Sequence, residues 1–92
     1  MTPVFVSPRL RKTAENFSTE LRAKIARAIA DAEAAFGDPH RHSGLGLRKL
    51  GRRSYEIRVH LQWRVVLLHD GQTLVAYDVM DHHQVRRWLR GK

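Results

Sequence analysis

Apolar and polar side chains alternate from Tyr55 to Val59, with Tyr55, Ile57 and Val59 on one side and Glu56, Arg58 and His60 on the other. That is the period of a strand with one buried face. The run Trp63 to Leu68 is apolar on both sides apart from Arg64, as in a strand covered above and below. Asp70-Gly71 then supplies the residues of a tight hairpin turn, and Leu74 to Val79 returns as a third strand. Parity constrains this meander. If Tyr55, Ile57 and Val59 share a face with Trp63, Val65 and Leu67, the intervening loop holds an odd number of residues, as Leu61-Gln62-Trp63 does, or a bulge. Arg58, His60 and Arg64 then gather on the opposite face, and a two-residue turn at Asp70-Gly71 brings Tyr77 beside Arg64 there. An aromatic ring beside a guanidinium suits a nucleic-acid binder and is equally ordinary packing.

Upstream, Pro3 to Val6 is a short strand-type run stopped by Ser7-Pro8, a cap followed by a proline at the first helical position. A short first helix over Pro8 to Asn16 is followed by a second cap at Ser18. From there Leu21, Ile25, Ala28, Ile29, Ala32, Ala35 and Phe36 recur at helical spacing until Gly37, and Asp38-Pro39 prevents continuation. Residues Pro39 to Gly46 read as a polar loop, and Leu47, Lys49 and Leu50 as a short strand. At the other end Asp81 caps a last helix holding Val85, Trp88 and Leu89. The expected order is β-α-α-β-β-β-β-α, an α+β fold: a small antiparallel sheet with an N-terminal helical pair on one face and a short C-terminal helix.

Composition narrows the partners. Seventeen Lys and Arg against nine Asp and Glu give a net charge of +8 in 92 residues, which favours a polyanionic partner. With no cysteine, neither a disulfide framework nor a thiolate metal site is available. His40-x-His42 and His82-His83 have no Cys and no nearby acidic pair except Asp81, which makes a poor zinc site, so no metal and no cofactor are expected. There is no apolar core of signal-peptide length and no membrane-spanning stretch, so no membrane partner and a cytoplasmic address are expected.

A helical pair, the Asp38-Pro39 step, Leu47-Arg48-Lys49-Leu50 before Gly51, then YEIRV, WRVVLLHDG, LVAYDV and a His-bearing step into a last helix together resemble the RelE/ParE superfamily, toxins of bacterial toxin–antitoxin pairs. The resemblance covers nearly the whole chain and implies a single domain of that type over residues 1–92. It implies a cognate antitoxin, a hetero-oligomeric complex with it, and one of two activities. RelE-like members are endoribonucleases that cut mRNA on the ribosome and so inhibit translation. ParE-like members share the fold and poison DNA gyrase.

Cleavage by a neighbouring 2′-hydroxyl needs a base for that hydroxyl, an acid for the departing 5′-oxygen, and cations around the phosphorane. By resemblance, Arg58 matches a basic or His site on the second sheet strand, Arg64 an arginine one step into the next strand, and His82 an Arg or His position directly after the last strand. Trp88 stands where members have Tyr or Phe. Imidazoles exchange protons near neutral pH, which suits His82, whereas Arg58 and Arg64 stay protonated and hold phosphate. For the base, His60, His83 and Glu56 are the candidates; Glu56 stands where the lysine-using members have Lys. Lys49, Arg52, Arg53 and Arg86 are candidates for RNA backbone, and Trp88 for stacking on a base, although its helical spacing from Val85 equally fits a core residue. The resemblance favours the mRNA endoribonuclease. The alternatives are a gyrase poison without nuclease activity, or a basic nucleic-acid-binding module that is no enzyme.

Overall fold

Serine caps set the two N-terminal helices. The Ser7 hydroxyl accepts from the Leu10 N–H at the start of α1 (Pro8–Ala14), and the Ser18 hydroxyl accepts from the Leu21 N–H at the start of α2 (Thr19–Ala35); such a cap contributes about 1 kcal/mol. This computed structural model describes residues 2–91. Around the two helices lie β1 (Val4–Val6), α3 (Pro39–Leu45), β2 (Leu47–Lys49), β3 (Ser54–Arg58), β4 (Trp63–His69), β5 (Leu74–Asp81) and α4 (His82–Arg90). Among the described residues no helix is long and apolar enough to cross a membrane.

The strands form one sheet in the order β1-β5-β4-β3-β2. β2 to β5 pair antiparallel, but β1 runs parallel to β5, so the sheet is mixed rather than antiparallel throughout. A three-residue apolar run carries no direction of its own. Here the direction is fixed where β1 ends: the Ser7 N–H donates to the Ala76 carbonyl, and α1 continues alongside β5. The buried Asp78 carboxylate then receives Thr13 Oγ1 at 2.7 Å and Arg9 Nε at 3.0 Å, tying α1 to that strand.

Leu10 of α1 and Ile25, Ala28 and Ala32 of α2 pack on one face of the sheet against Ile57, Val65, Leu67 and Val79. On the second face, Val85 of α4 buries against Val66 and Met80, with Trp88, Leu89, Tyr77 and Leu50 around it. Burying one such aliphatic side chain stabilises by about 1.5–3 kcal/mol. α4 covers only part of this face, and the remainder is where polar side chains of β2, β3 and β4 stand.

Three local expectations are corrected. The segment from Pro39, expected as a loop, is a helix that buries no residue, so it leaves no apolar periodicity to read; Pro39 sits in its first turn and Gly46 ends it at φ 70°. The β3–β4 loop is His60-Leu61-Gln62, with Arg58 directly opposite Arg64, two residues away in register from the expected pairing but of the same parity. The β4–β5 connection is not a two-residue turn: Asp70 to Thr73 separate the paired His69 and Leu74, and a bulge follows between Val66 and Leu67. That bulge moves Tyr77 out of line, so Met80 faces Arg64. The Tyr77 ring lies 5.7 Å from that of Trp88 and 5.3 Å from the Arg9 guanidinium carbon.

The Asp70 loop yields a pH prediction. The backbone N–H groups of Thr73 and Gln72, and then the Thr73 hydroxyl, bond the Asp70 carboxylate and hold it down from 3.8 to about 2. A carboxylate depressed in the folded state stabilises above its unfolded value, and that contribution is lost as pH falls through the folded one. Asp70→Ala is therefore expected to be less stable than the wild type at pH 6, with the gap closing between pH 4 and pH 2. Urea denaturation across that range checks it; a gap independent of pH would contradict it.

Candidate active site

β2, β3 and β4 run side by side, and their register decides which polar side chains meet. Arg48 pairs with Glu56, and Arg58 pairs with Arg64, all on the face that α4 leaves open. Arg48 Nε donates to Glu56 Oε2 at 2.9 Å, and Arg64 Nε lies 3.6 Å from the same oxygen. One carboxylate thus balances two guanidiniums. Its side chain is only 7% exposed, that of Arg64 16%, and that of Arg48 68%. Among the described residues Arg58 has no carboxylate partner, and it is exposed.

These four residues form the floor of a cleft of about 530 Å³. α3 supplies one wall through Pro39, His42 and Ser43, and His82 stands on the other side. Both walls are held. Asp81 and Gln84 form a reciprocal capping box, side chain to backbone N–H at 2.8 Å each way, which fixes the first turn of α4 and with it His82. On the opposite side the chain passes very close to Arg58: a Cβ on Gly46 would lie 2.8 Å from the Arg58 Cβ, and the backbone there is at φ 70°. Only glycine meets both conditions without strain.

The structure brings Arg58, Arg64 and His82 to one cleft. Arg64 does more there than carry charge. Its Nη1 donates toward the carbonyls of His60 (3.2 Å), Trp63 (3.2 Å) and Leu61 (3.4 Å), bracing the β3–β4 loop. Among the described residues Arg58 is the cleft arginine without an ion pair, and its exposed side chain can meet an incoming anion. Glu56 is committed to its two arginines, which makes it their counter-charge.

His60 is not brought to the cleft. Because the loop begins at this residue, its ring turns to the helix side, where Nδ1 lies 3.5 Å from Lys24 Nζ in a separate hollow beside Ser18, Glu20 and Trp63. His83 is exposed, 5.7 Å ring to ring from His82, and does not line the cleft. Lys49 pairs with Tyr55 and so falls on the opposite side from Arg48. Arg52 and Arg53 border a different hollow with Leu50 and Leu89, Arg86 is exposed on α4, and Trp88 packs in the second-face core.

Arg48 and His42 line the cleft although the sequence reading does not place them there. Arg48 sits one position from Lys49, and the signal that separates them is the parity of Leu47, which shares the buried face with Lys49. His42 has no such signal, because it reaches the cleft through a helix that the pattern does not reveal.

No protein-family model matches the sequence, and no curated protein matches it. Among solved structures, the fold is similar to that of a chain in the RelB-RelE antitoxin-toxin complex from Methanococcus jannaschii, with a TM-score of 0.67 and 14% identity over 91% of this chain and 96% of that one. At that identity the likeness is one of fold.

Proposed function

We propose that a chain built on this fold, with this cleft, is the toxin of a toxin–antitoxin pair and an endoribonuclease that cuts mRNA on the ribosome. The observation that carries the reading is the cleft that Arg48, Arg58, Arg64 and His82 line together, with Glu56, paired to Arg48 and Arg64, the one carboxylate among its lining residues. Three guanidiniums against one carboxylate leave an excess of fixed positive charge in a partly enclosed hollow. That is what a phosphate diester, and still more a dianionic phosphorane, requires.

In the reaction the 2′-oxygen loses its proton to a base and attacks the adjacent phosphorus. The bond to the 5′-oxygen then breaks as that oxygen takes a proton from an acid. The products are a 2′,3′-cyclic phosphate and a 5′-hydroxyl. Arg58 stabilises the growing charge on the non-bridging oxygens, Arg48 and the edge of Arg64 add to the field, and His82 is the acid. The +8 chain suits an antitoxin with an acidic segment, which lowers the repulsion that such a surface carries.

Expression in a bacterial host tests this. Wild type, Arg58→Ala and His82→Ala are induced, mRNA 5′ ends are mapped, and plasmid supercoiling is followed. The expected result is new cuts within translated codons, lost in both variants. Growth arrest with intact mRNA and altered supercoiling would replace the nuclease by a gyrase poison, and the absence of arrest by a simple nucleic-acid-binding module.

A further inference from the structure

We propose that His42 is the general base for the attacking 2′-hydroxyl. The inference rests on the nuclease reading and supplies the group that it lacks. Of the cleft's charged residues, Arg48, Arg58 and Arg64 remain protonated at any ordinary pH and cannot accept a proton. Glu56 holds two guanidiniums, one of them on a side chain 16% exposed, so a proton on it would leave a nearly buried cation unpaired. Two imidazoles remain, His42 and His82, and the reaction needs two proton carriers.

The setting of His42 fits the base. Its Nε2 lies 3.0 Å from the Ala35 carbonyl. A carbonyl oxygen only accepts, so Nε2 carries the hydrogen, and in the neutral ring Nδ1 holds the lone pair. Stacking against Phe36, with centroids 6.2 Å apart and planes at 24°, fixes the ring. An imidazole with one nitrogen held by an acceptor and the other left basic is the arrangement by which proton-abstracting histidines are oriented.

The partner is well chosen, since Ala35 is the last residue of α2 and its carbonyl belongs to the end of a seventeen-residue helix, where partial negative charge collects. The positive charge that the ring acquires with the proton forms beside those carbonyls. The other charged and titratable groups around it are Arg48 and Arg58 on the cleft floor, Arg41 bonded to the Ala34 carbonyl, the Asp38–His40 pair at the start of α3, and Tyr55 and His69, which pack on Phe36. α3, which carries His42, leads into β2, whereas His82 follows β5, so the two residues come from the two sides of the cleft floor, and an in-line displacement needs a base and an acid on its two sides.

The test is single-turnover cleavage of mRNA on programmed ribosomes between pH 5.5 and 8.5. His42→Gln places an amide nitrogen where Nε2 was, so the Ala35 bond survives and the base does not. The expected result is a rate lower by roughly 10²- to 10⁴-fold, with the rise of rate with pH on the acid side abolished and the thermal midpoint kept. Imidazole added to His42→Ala is expected to restore cleavage, a readout that a merely structural role would not move. A substrate with a 5′-bridging sulfur, which departs without a proton, is expected to rescue His82→Ala and not His42→Gln. Wild-type rate and pH profile in His42→Gln would overturn the assignment while leaving the nuclease standing, as would rescue of both variants by the sulfur substrate, or a folded His42→Ala that imidazole does not help. A wild type that leaves mRNA whole would overturn both.

Discussion

Glu56→Ala is expected to lower stability by about 3 kcal/mol, because it strands a guanidinium that has little access to water. The two ion pairs of Glu56 are unequal. The one with Arg48 is a surface contact, 68% exposed on the arginine side, and such pairs contribute about 0–1 kcal/mol. The one with Arg64 joins side chains 7% and 16% exposed, and its loss leaves a largely buried guanidinium with backbone carbonyls but no carboxylate beside it. Two further effects act in the same direction. Arg58 lies directly across from Arg64, and like charges opposite one another in a sheet repel. Arg64 also braces three carbonyls of the β3–β4 loop, so a displaced guanidinium loosens the loop. In a domain of this size 3 kcal/mol corresponds to a fall in Tm of more than about 10 °C. Glu56→Gln, which keeps an acceptor oxygen, is expected to fall between the two, and added salt to narrow the gap by screening the three arginines. Urea denaturation at low and high salt measures this. A Glu56→Ala protein as stable as the wild type would mean that the cluster is solvated and no charge site exists.

How far this arrangement could be read in advance depends on which part is asked about. β3 announces itself by period two and β4 by a short apolar run, and the odd-numbered loop that puts Arg58 and Arg64 on one face follows from parity alone. The exact register does not, because pairings that differ by two residues bury the same side chains. That difference is what sends His60 to the helix side. The bulge at Val66 and Leu67 is silent too: β4 stays apolar through it and no glycine or proline marks it in β5, yet it takes Tyr77 away from Arg64 and turns the ring toward Trp88. α3 could not be seen because a seven-residue helix that buries nothing has no apolar stripe. With it went one wall of the cleft, and with the wall His42. The caps, by contrast, were plain, since Ser7, Ser18 and Asp81 act through bonds to residues three positions away.

Arg58 carries the other large effect. It is exposed, it lines the cleft, and among the described residues no carboxylate holds it, so its removal takes little from the fold. If it meets the phosphorane oxygens, its loss removes one preformed donor to the transition state, worth roughly 10²–10³ in rate. Arg58→Lys keeps the charge without the forked donor and is expected to recover only part of that loss. The decisive measurement is the single-turnover rate of mRNA cleavage on programmed ribosomes for wild type, Arg58→Lys and Arg58→Ala, with Tm recorded for each. The account predicts the order wild type, Lys, Ala at nearly equal Tm; cleavage by Arg58→Ala at the wild-type rate would contradict it.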